Sequence, residues 1–451
     1  MSNAREYFRK KKKVRKNRLF KTIRAGGKKY VGKRNRTASI KAGHGQAARI
    51  KADRIKADRV KASPIKTGGK RSVRRRRGRR LGTAAVLCVL TIAIAAAAAG
   101  LAGHTYEAYE VQSNQVLNGS KEMEYLEFNG GILQYDSQGV TYINKENQRE
   151  WNYSFQMQEP FSDTCGSMAA IGDIRGNRIL LFDPSGKRGE IHTQLPIRRY
   201  RVSDRGLVAV ILAKGEDSRL EIYDGLAGDL LRGHDIPEDR MGYPADLDIS
   251  PDGTKLIVSY MRLAMGPEEA VSASHIAFYR LQKVGSETVS QLVSSKIIQE
   301  DIFPQVVFLD SSHAAALGSG GMLLFEGNEI PELLEQIDLP EEERAEAYFS
   351  NNHYVGMTVA GQKEKAPLLK IYSANGELQF TKKLEEGYDR IKLYKEQVLV
   401  CRSASLRIYE FDGRLRYSGN MPLPILEILP GSKKYEYVVV DSASIRQIRL
   451  H

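Results

Sequence analysis

The chain has few of the residues that mark disulfide scaffolds, zinc sites or aromatic cofactor pockets. It contains three cysteines and one tryptophan in 451 residues. Three cysteines cannot build a disulfide framework, so the class of small disulfide-stabilised secreted domains is excluded. No HExxH or CxxC motif occurs, so the common zinc-ligand spacings are missing. We therefore expect no metal and no cofactor.

Acidic residues are nearly missing from the first 80 positions. This arm holds 32 Lys and Arg against three acids, whereas the remaining 371 residues carry a net charge of −14. High net charge with few apolar residues predicts a disordered segment. A basic repeat at 49–69 predicts contact with anionic lipid or with nucleic acid. The alternative is that this repeat only sets the membrane topology.

Charge is also missing from residues 81–103, which form an uninterrupted run of 23 uncharged residues. A helix of that length is about 35 Å long, enough to cross the roughly 30 Å hydrocarbon core of a bilayer. The positive-inside rule then puts 1–80 in the cytoplasm and 104–451 outside, at the plasma membrane. The basic flank is expected to contact anionic lipid through Lys70, Arg71, Arg74, Arg75, Arg76, Arg77, Arg79 and Arg80. A cleaved signal peptide is the alternative, but an 80-residue basic leader argues against it.

After residue 120, short β-rich runs alternate with Gly, Asp, Asn and Ser turns. A strand ending in an aliphatic or aromatic pair recurs eight times at spacings of 38 to 56 residues, and a second strand precedes each copy. The copies begin at residues 139, 177, 218, 274, 321, 367, 405 and 444. A period near 40 with about four strands per repeat is typical of a β-propeller.

The SPDG turn at 250–253 and the LEIYDGLAG strand and turn at 220–228 resemble the WD40-like and YVTN-like β-propeller superfamily. The layout is also similar to single-pass, membrane-anchored propellers of Gram-positive bacteria. The expected fold is all-β, with seven or eight four-stranded blades, one transmembrane helix and a disordered basic arm. The expected domains are the arm (1–80), the span (81–103), a linker or closing strand (104–120) and the extracytoplasmic propeller (121–451). The last blade needs a closing strand, which we expect within 106–118.

No motif in the propeller region predicts catalysis. GSGGM at 318–322 lacks the G-x-S-x-G pattern of a serine nucleophile. Asp and Glu are abundant, but no spacing marks a particular pair for glycoside hydrolysis. We therefore expect a binding or scaffolding module at the cell envelope that is not an enzyme, with an unknown extracytoplasmic protein or glycan as its partner. The alternatives are a hydrolase acting on envelope glycan and a sensor.

Two segments depart from the regular repeat. Residues 261–274 fill the longest spacing and predict a hairpin insertion on one rim, a place where repeat proteins often bind partners. The acidic stretch 331–349 predicts a solvated loop or a short helix between blades, with a partner-docking element as the alternative. Cys165 and Cys401 lie three blades apart in an eight-bladed ring, so they are expected to remain free thiols.

Overall fold

A computed structural model describes most of the chain after residue 104, and these residues belong to one compact unit, Leu81–His451. The predictions for the arm, the span and their lipid contacts fall outside the described residues. The described ranges are 105–116, 123–265, 270–284, 287–299, 301–361, 366–384 and 387–451.

Thirty-two strands and one short helix are present in the described ranges, and the strands form eight antiparallel sheets of four. Each sheet is a blade of a propeller, numbered here in chain order. The first half of the chain contributes β1 (Tyr109–Val116), β2 (Glu124–Phe128), β3 (Gly131–Tyr135), β4 (Gly139–Ile143), β5 (Arg149–Ser154), β6 (Pro160–Cys165), β7 (Met168–Asp173), β8 (Arg178–Asp183), β9 (Gly186–His192), β10 (Ile197–Val202), β11 (Leu207–Lys214), β12 (Asp217–Asp224), β13 (Asp229–Ile236), α1 (Glu238–Met241), β14 (Tyr243–Ile249), β15 (Lys255–Met265), β16 (Ala270–Val284) and β17 (Glu287–Gln299).

The second half of the chain repeats the same four-strand meander. Its strands are β18 (Gln305–Phe308), β19 (His313–Gly318), β20 (Gly321–Glu326), β21 (Glu332–Asp338), β22 (Glu343–Ser350), β23 (Tyr354–Gly361), β24 (Leu368–Ser373), β25 (Leu378–Lys383), β26 (Arg390–Tyr394), β27 (Gln397–Arg402), β28 (Ser405–Glu410), β29 (Leu415–Asn420), β30 (Glu427–Pro430), β31 (Glu436–Val440) and β32 (Ser444–Leu450).

Blades 1 to 7 each use four consecutive strands, from β2–β5 to β26–β29, whereas blade 8 takes strands from both ends of the chain. Its first three strands are β30, β31 and β32, and its fourth is the N-terminal β1. The pairing of β1 with β32 runs from Tyr109 opposite Leu450 to Val116 opposite Ser444. The closing strand expected within 106–118 is therefore present, and the ring has eight blades.

A β-bulge recurs at the pairing of the third and fourth strands in all eight blades. In blades 3, 6 and 7 it lies at the Ile-Tyr pair of the repeated motif, for example between Ile222 and Tyr223. A bulge adds one residue to one strand and increases the local twist. Blade 8 has the same bulge in β1, between Val111 and Ser113, although β1 is distant in sequence.

The hydrophobic core consists of eight clusters, one between each pair of neighbouring blades. In blade 2, Ala170 and Leu181 pack towards blade 3, whereas Ala169 and Leu180 pack towards blade 1. Alternate residues of a strand point to opposite faces of the sheet. In a blade that is covered on both faces, the strand sequences are therefore continuous apolar runs. The eighth cluster joins blades 8 and 1 and closes the ring.

The acidic stretch 331–349 is neither a loop nor a helix, so that prediction is wrong. It contains β21, the outer strand of blade 5, and most of β22, the first strand of blade 6. Its apolar residues fit a half-buried strand because Leu333 and Tyr348 pack onto neighbouring cores while the acids between them face water.

The predicted hairpin insertion is confirmed. The strands β15 and β16 extend together beyond the other blades as far as the pair Met265 and Ala270. Cys165 and Cys401 are free, as expected. Burial raises the pKa of both thiols to about 12, which makes them poor nucleophiles.

Candidate functional site: the central channel

The first strands of the blades lie side by side around the central channel. Contacts join β6 to β10, β10 to β14 and β14 to β18, and likewise β22 to β26 and β30 to β2. Each first strand pairs with the second strand of its own blade and has no ladder partner on its other edge. The backbone groups on that edge need other partners, because an unpaired buried N–H group is costly.

Carboxylates from one blade supply acceptors to the next blade. Val202 donates its backbone N–H to Asp163 Oδ2 at 2.8 Å, which links β10 to β6. Val306 donates to Asp246 Oδ2 at 3.1 Å, and Phe308 donates to Asp248 Oδ2 at 2.6 Å. These three carboxylates therefore hold the open strand edges in blades 3 and 5.

Two arginines of β10 lie among the same carboxylates. Arg199 donates from Nε to Asp246 Oδ1 at 2.6 Å. The Arg201 guanidinium lies 3.8 Å from Asp163 Oδ1, 3.8 Å from Asp246 Oδ1 and 3.9 Å from Asp248 Oδ1. We call these five residues the channel cluster; fully ionised, they carry a net charge of −1.

The pattern of β10 explains how the arginines reach the channel. Tyr200 and Val202 point into the core between blades 2 and 3, and both are almost fully buried. Arg199 and Arg201 alternate with them along the strand, so the arginine side chains point to the opposite face of the sheet. The β14 strand shows the same alternation, with Asp246 and Asp248 on either side of the buried Leu247.

Burial and mutual attraction set the protonation of the channel cluster. Burial alone would lower the pKa of Arg201, but the three carboxylates raise it, so this guanidinium stays charged. Burial raises the pKa of Asp163 despite the attraction of Arg201. It raises the pKa of Asp248 to about 7, with Arg201 opposing the shift. The cluster therefore exchanges a proton near neutral pH.

Charges also meet across blades 7, 8 and 1. Glu427 on β30 is paired with Arg390 and with Lys392, each at 2.5 Å. Glu127 on β2 faces the same region. Burial raises its pKa, while Lys392 lowers it. The channel wall thus brings opposite charges together in two separate places.

A cavity of about 150 Å³ opens beside the channel cluster. Its polar lining comes from blades 3 to 6 and includes Arg199, Arg201, Asp246, Gln305, Tyr348 and Ser350. At about 30 Å³ per water molecule, this space holds several waters or one small polar group. The side chain of Asp246 is 3% exposed, whereas that of Arg199 is 35% exposed, so the arginine is the part of this pair that a ligand can reach.

The channel cluster was missed by sequence reasoning, which found no pair of acids to single out. A signal existed, since arginines at 199 and 201 and aspartates at 246 and 248 occupy alternate positions of two successive first strands. The predicted lipid-contact residues, Lys70 to Arg80, lie before the described residues. No group of three or more His, Cys, Asp or Glu is placed to hold a metal ion in the described ranges. The described ranges also contain no helix long and apolar enough to cross a membrane.

Several solved structures are similar to this chain. BamB from Moraxella catarrhalis is 10% identical over 76% of this chain and 100% of its own, with a TM-score of 0.43. Apo AztD from Citrobacter koseri is 10% identical over 67% and 87%, with a TM-score of 0.47. The WD40 domain of SCAP from fission yeast is 9% identical over 77% and 99%, with a TM-score of 0.46. At this level of identity, the likeness concerns the fold alone.

A search of curated proteins finds no match. A family model described as "Family of unknown function (DUF5711)" matches residues 102–450, a region that includes all eight blades. The chain therefore belongs to this family of unknown function (DUF5711).

Proposed function

We propose that the protein is a binding or scaffolding module held at the plasma membrane, with its basic arm in the cytoplasm and its propeller outside. The observation that carries the binding role is the channel cluster beside an open cavity. Its charged groups are already oriented by backbone N–H groups and by each other. Preorganised polar groups in a concave site bind a ligand with little loss of conformational freedom.

The membrane location rests on the sequence. The 23 uncharged residues at 81–103 are long enough to span a bilayer, and the basic flank precedes them. The matched family region begins at residue 102, at the C-terminal end of this segment. The proposed outside partner is a protein or glycan that offers both hydrogen-bond donors and acceptors to the cavity.

The proposed partner of the arm is the anionic inner leaflet. Eight basic residues between Lys70 and Arg80 would lie beside it, each attracted by about 1 kcal/mol when held near the surface. Nucleic acid is the alternative partner of the arm, and its contact would weaken steeply with salt.

Site-specific photo-crosslinking tests the binding role in the full-length protein in intact cells. A photoreactive residue in place of Ser350, at the cavity, should give a discrete adduct. The matched control is Thr381, which is exposed on β25 of the same blade. Adducts of equal yield at both positions, or none at Ser350, would contradict binding at the channel.

A hydrolase acting on envelope glycan is the second candidate. One observation favours it, since Asp248, with a pKa raised to about 7, lies near ionisable carboxylates, as acid and base pairs do. However, Asp246 and Asp248 each already accept a backbone N–H from β18. We therefore propose no catalytic role and expect no turnover on a glycan panel. Hydrolysis abolished by Asp248→Asn would support the hydrolase instead.

A further inference from the structure

The N-terminal end of the described chain is tied to blade 7 before β1 begins. Thr105 donates its hydroxyl to the Leu415 carbonyl at 2.9 Å, and Tyr106 donates its backbone N–H to the Arg416 carbonyl at 2.8 Å. Tyr106 also forms a parallel bridge with Tyr417. The propeller therefore begins at residue 105, with no free linker between that point and β1.

This attachment limits the distance between blade 7 and the membrane. The argument rests on the proposed function, because it takes 81–103 as the membrane span. Two residues cover at most about 7 Å of extended chain. Headgroups add roughly 5–7 Å on each side of the hydrocarbon core. A backbone attached at Thr105 thus lies in or directly above the headgroup layer.

Aromatic and basic side chains surround this attachment point. The Tyr435 ring lies 5.1 Å from the Tyr106 ring. Lys434 Nζ lies 4.8 Å from the centre of the Tyr435 ring, and the Arg416 guanidinium lies 5.5 Å from it. Lys434 is exposed, and the side chain of Lys433 is 73% exposed. We call Tyr106, Lys433, Lys434 and Tyr435 the anchor-side surface.

Three acids beside this surface, Glu410, Asp412 and Glu436, are already engaged by basic groups. Asp412 accepts from Arg414 Nε at 2.7 Å, and Glu410 is paired with Arg416 at 3.2 Å. Glu436 is 1% exposed and lies beneath Lys433. The outward charge at this place therefore comes from the two lysines and from the exposed Glu107, which follows Tyr106.

The strand order also places these groups on one face of the ring. In a four-strand meander, the turns after the first and third strands lie on the same face. Residues 431–435 follow β30, a first strand, and the β28–β29 turn follows a third strand. The start of every first strand lies on the opposite face, and Tyr243 occupies such a start on β14.

We infer that the anchor-side surface rests on the lipid headgroup layer. Tyr106 and Tyr435 lie at headgroup level, where tyrosine is enriched in membrane proteins, and the lysines contact lipid phosphates. The propeller is thereby held with blades 7 and 8 against the bilayer, and the opposite face is presented to partners.

Fluorescence quenching measures this orientation in the full-length protein. Trp151→Phe removes the native tryptophan, and Tyr435→Trp places a single reporter on the anchor-side surface. The matched control is Tyr243→Trp, because Tyr243 is 43% exposed and also lies beneath a cation, Arg198, at 5.3 Å. Each protein is reconstituted in 3:1 phosphatidylcholine–phosphatidylglycerol vesicles carrying a headgroup spin label. We expect at least twofold stronger quenching at 435 than at 243.

The outcomes separate this inference from the anchoring itself. Protein that resists alkaline extraction from the vesicles but shows equal quenching at both positions is anchored, and the inference is overturned. Protein that is extracted contradicts the anchoring and, with it, the inference. The double variant Lys433→Gln, Lys434→Gln tests the role of the lysines and should reduce quenching at 435 by about half. Arg175→Gln with Lys214→Gln, on turns of the opposite face, should leave it unchanged.

Discussion

At the residue scale, Arg201 lies close to more oppositely charged groups than any other side chain of the channel cluster. Its guanidinium lies within 4 Å of Asp163, Asp246 and Asp248, which come from blades 2 and 4. Its own side chain is only 17% exposed, so water compensates little of this charge. Arg201 therefore links three blades through electrostatics, while Tyr200 and Val202 link two of them through packing.

Arg201→Gln should lower the free energy of unfolding by about 3–5 kcal/mol at pH 7.5, because it leaves buried carboxylates without their cation. The loss should be smaller at pH 5, where Asp248, with a pKa raised to about 7, is protonated and carries no charge. Unfolding in guanidinium chloride at both pH values measures this loss of free energy. The control is Arg205→Gln on an exposed turn, expected within about 0.5 kcal/mol of wild type. Equal losses for both variants would contradict the role of Arg201.

Asp248 should make stability depend on pH in a specific direction. Its pKa is about 7 in the folded protein and near 3.8 when unfolded, so the folded state holds a proton that the unfolded state loses. This contribution is fully present below about pH 4 and is lost as the pH rises to 7. Asp248→Asn should therefore gain stability relative to wild type between pH 5 and pH 8, by on the order of 2 kcal/mol. A relative gain towards low pH would show that the sign is wrong.

At the element scale, the recurring bulge identifies β1 as a full member of blade 8. Seven blades have their bulge where the third strand meets a fourth strand from the same repeat, and blade 8 has it where β32 meets β1. The outer strand is mostly exposed, so its stabilising contribution comes chiefly from backbone hydrogen bonds to β32. Losing it would expose the edge of β32 and weaken the contact between blades 8 and 1.

A fragment 117–451, which lacks β1, should be less stable than 105–451 by on the order of 5 kcal/mol, at about 1 kcal/mol for each lost strand hydrogen bond. Thermal and denaturant unfolding compare the two. Fragment 109–451 is the control, since it keeps β1 and loses only the residues that attach to blade 7; it should differ from 105–451 by less than about 2 kcal/mol. If 117–451 is as stable as 105–451, β1 does not close the ring.

Much of the blade architecture could be predicted from the sequence, because each blade is covered on both faces and its apolar runs are therefore local and regular. The Pro251–Gly253 turn and the eight copies of the third strand predicted seven or eight blades, and the pairing of β1 with β32 shows that there are eight. The channel cluster could not be predicted in the same way. It depends on which first strands become neighbours, and Asp163 meets Val202 only after two blades pack together. The stretch 331–349 was misread because its acids outweighed the weaker alternation of Ile337 and Leu339 with polar residues.

At the scale of the whole molecule, the ring has eight interfaces and each has its own hydrophobic cluster, so no blade is left with an uncovered face. The sequence distributes charge very unevenly along this molecule, with +29 before residue 81 and −14 after residue 80. The positive-inside rule places a flank rich in Lys and Arg, such as 70–80, on the cytoplasmic side of a membrane span. We therefore propose that the propeller lies outside the membrane and that the arm lies inside.

Labelling of single introduced cysteines with a membrane-impermeant maleimide on intact cells tests this claim most directly. The native propeller thiols give a low background, because burial raises the pKa of Cys165 and Cys401 to about 12. Thr381→Cys on the exposed outer strand β25 should be labelled on intact cells, whereas Ala4→Cys in the arm should be labelled only after the membrane is permeabilised. Labelling of Ala4→Cys but not of Thr381→Cys on intact cells would contradict the account, as would labelling of neither before permeabilisation.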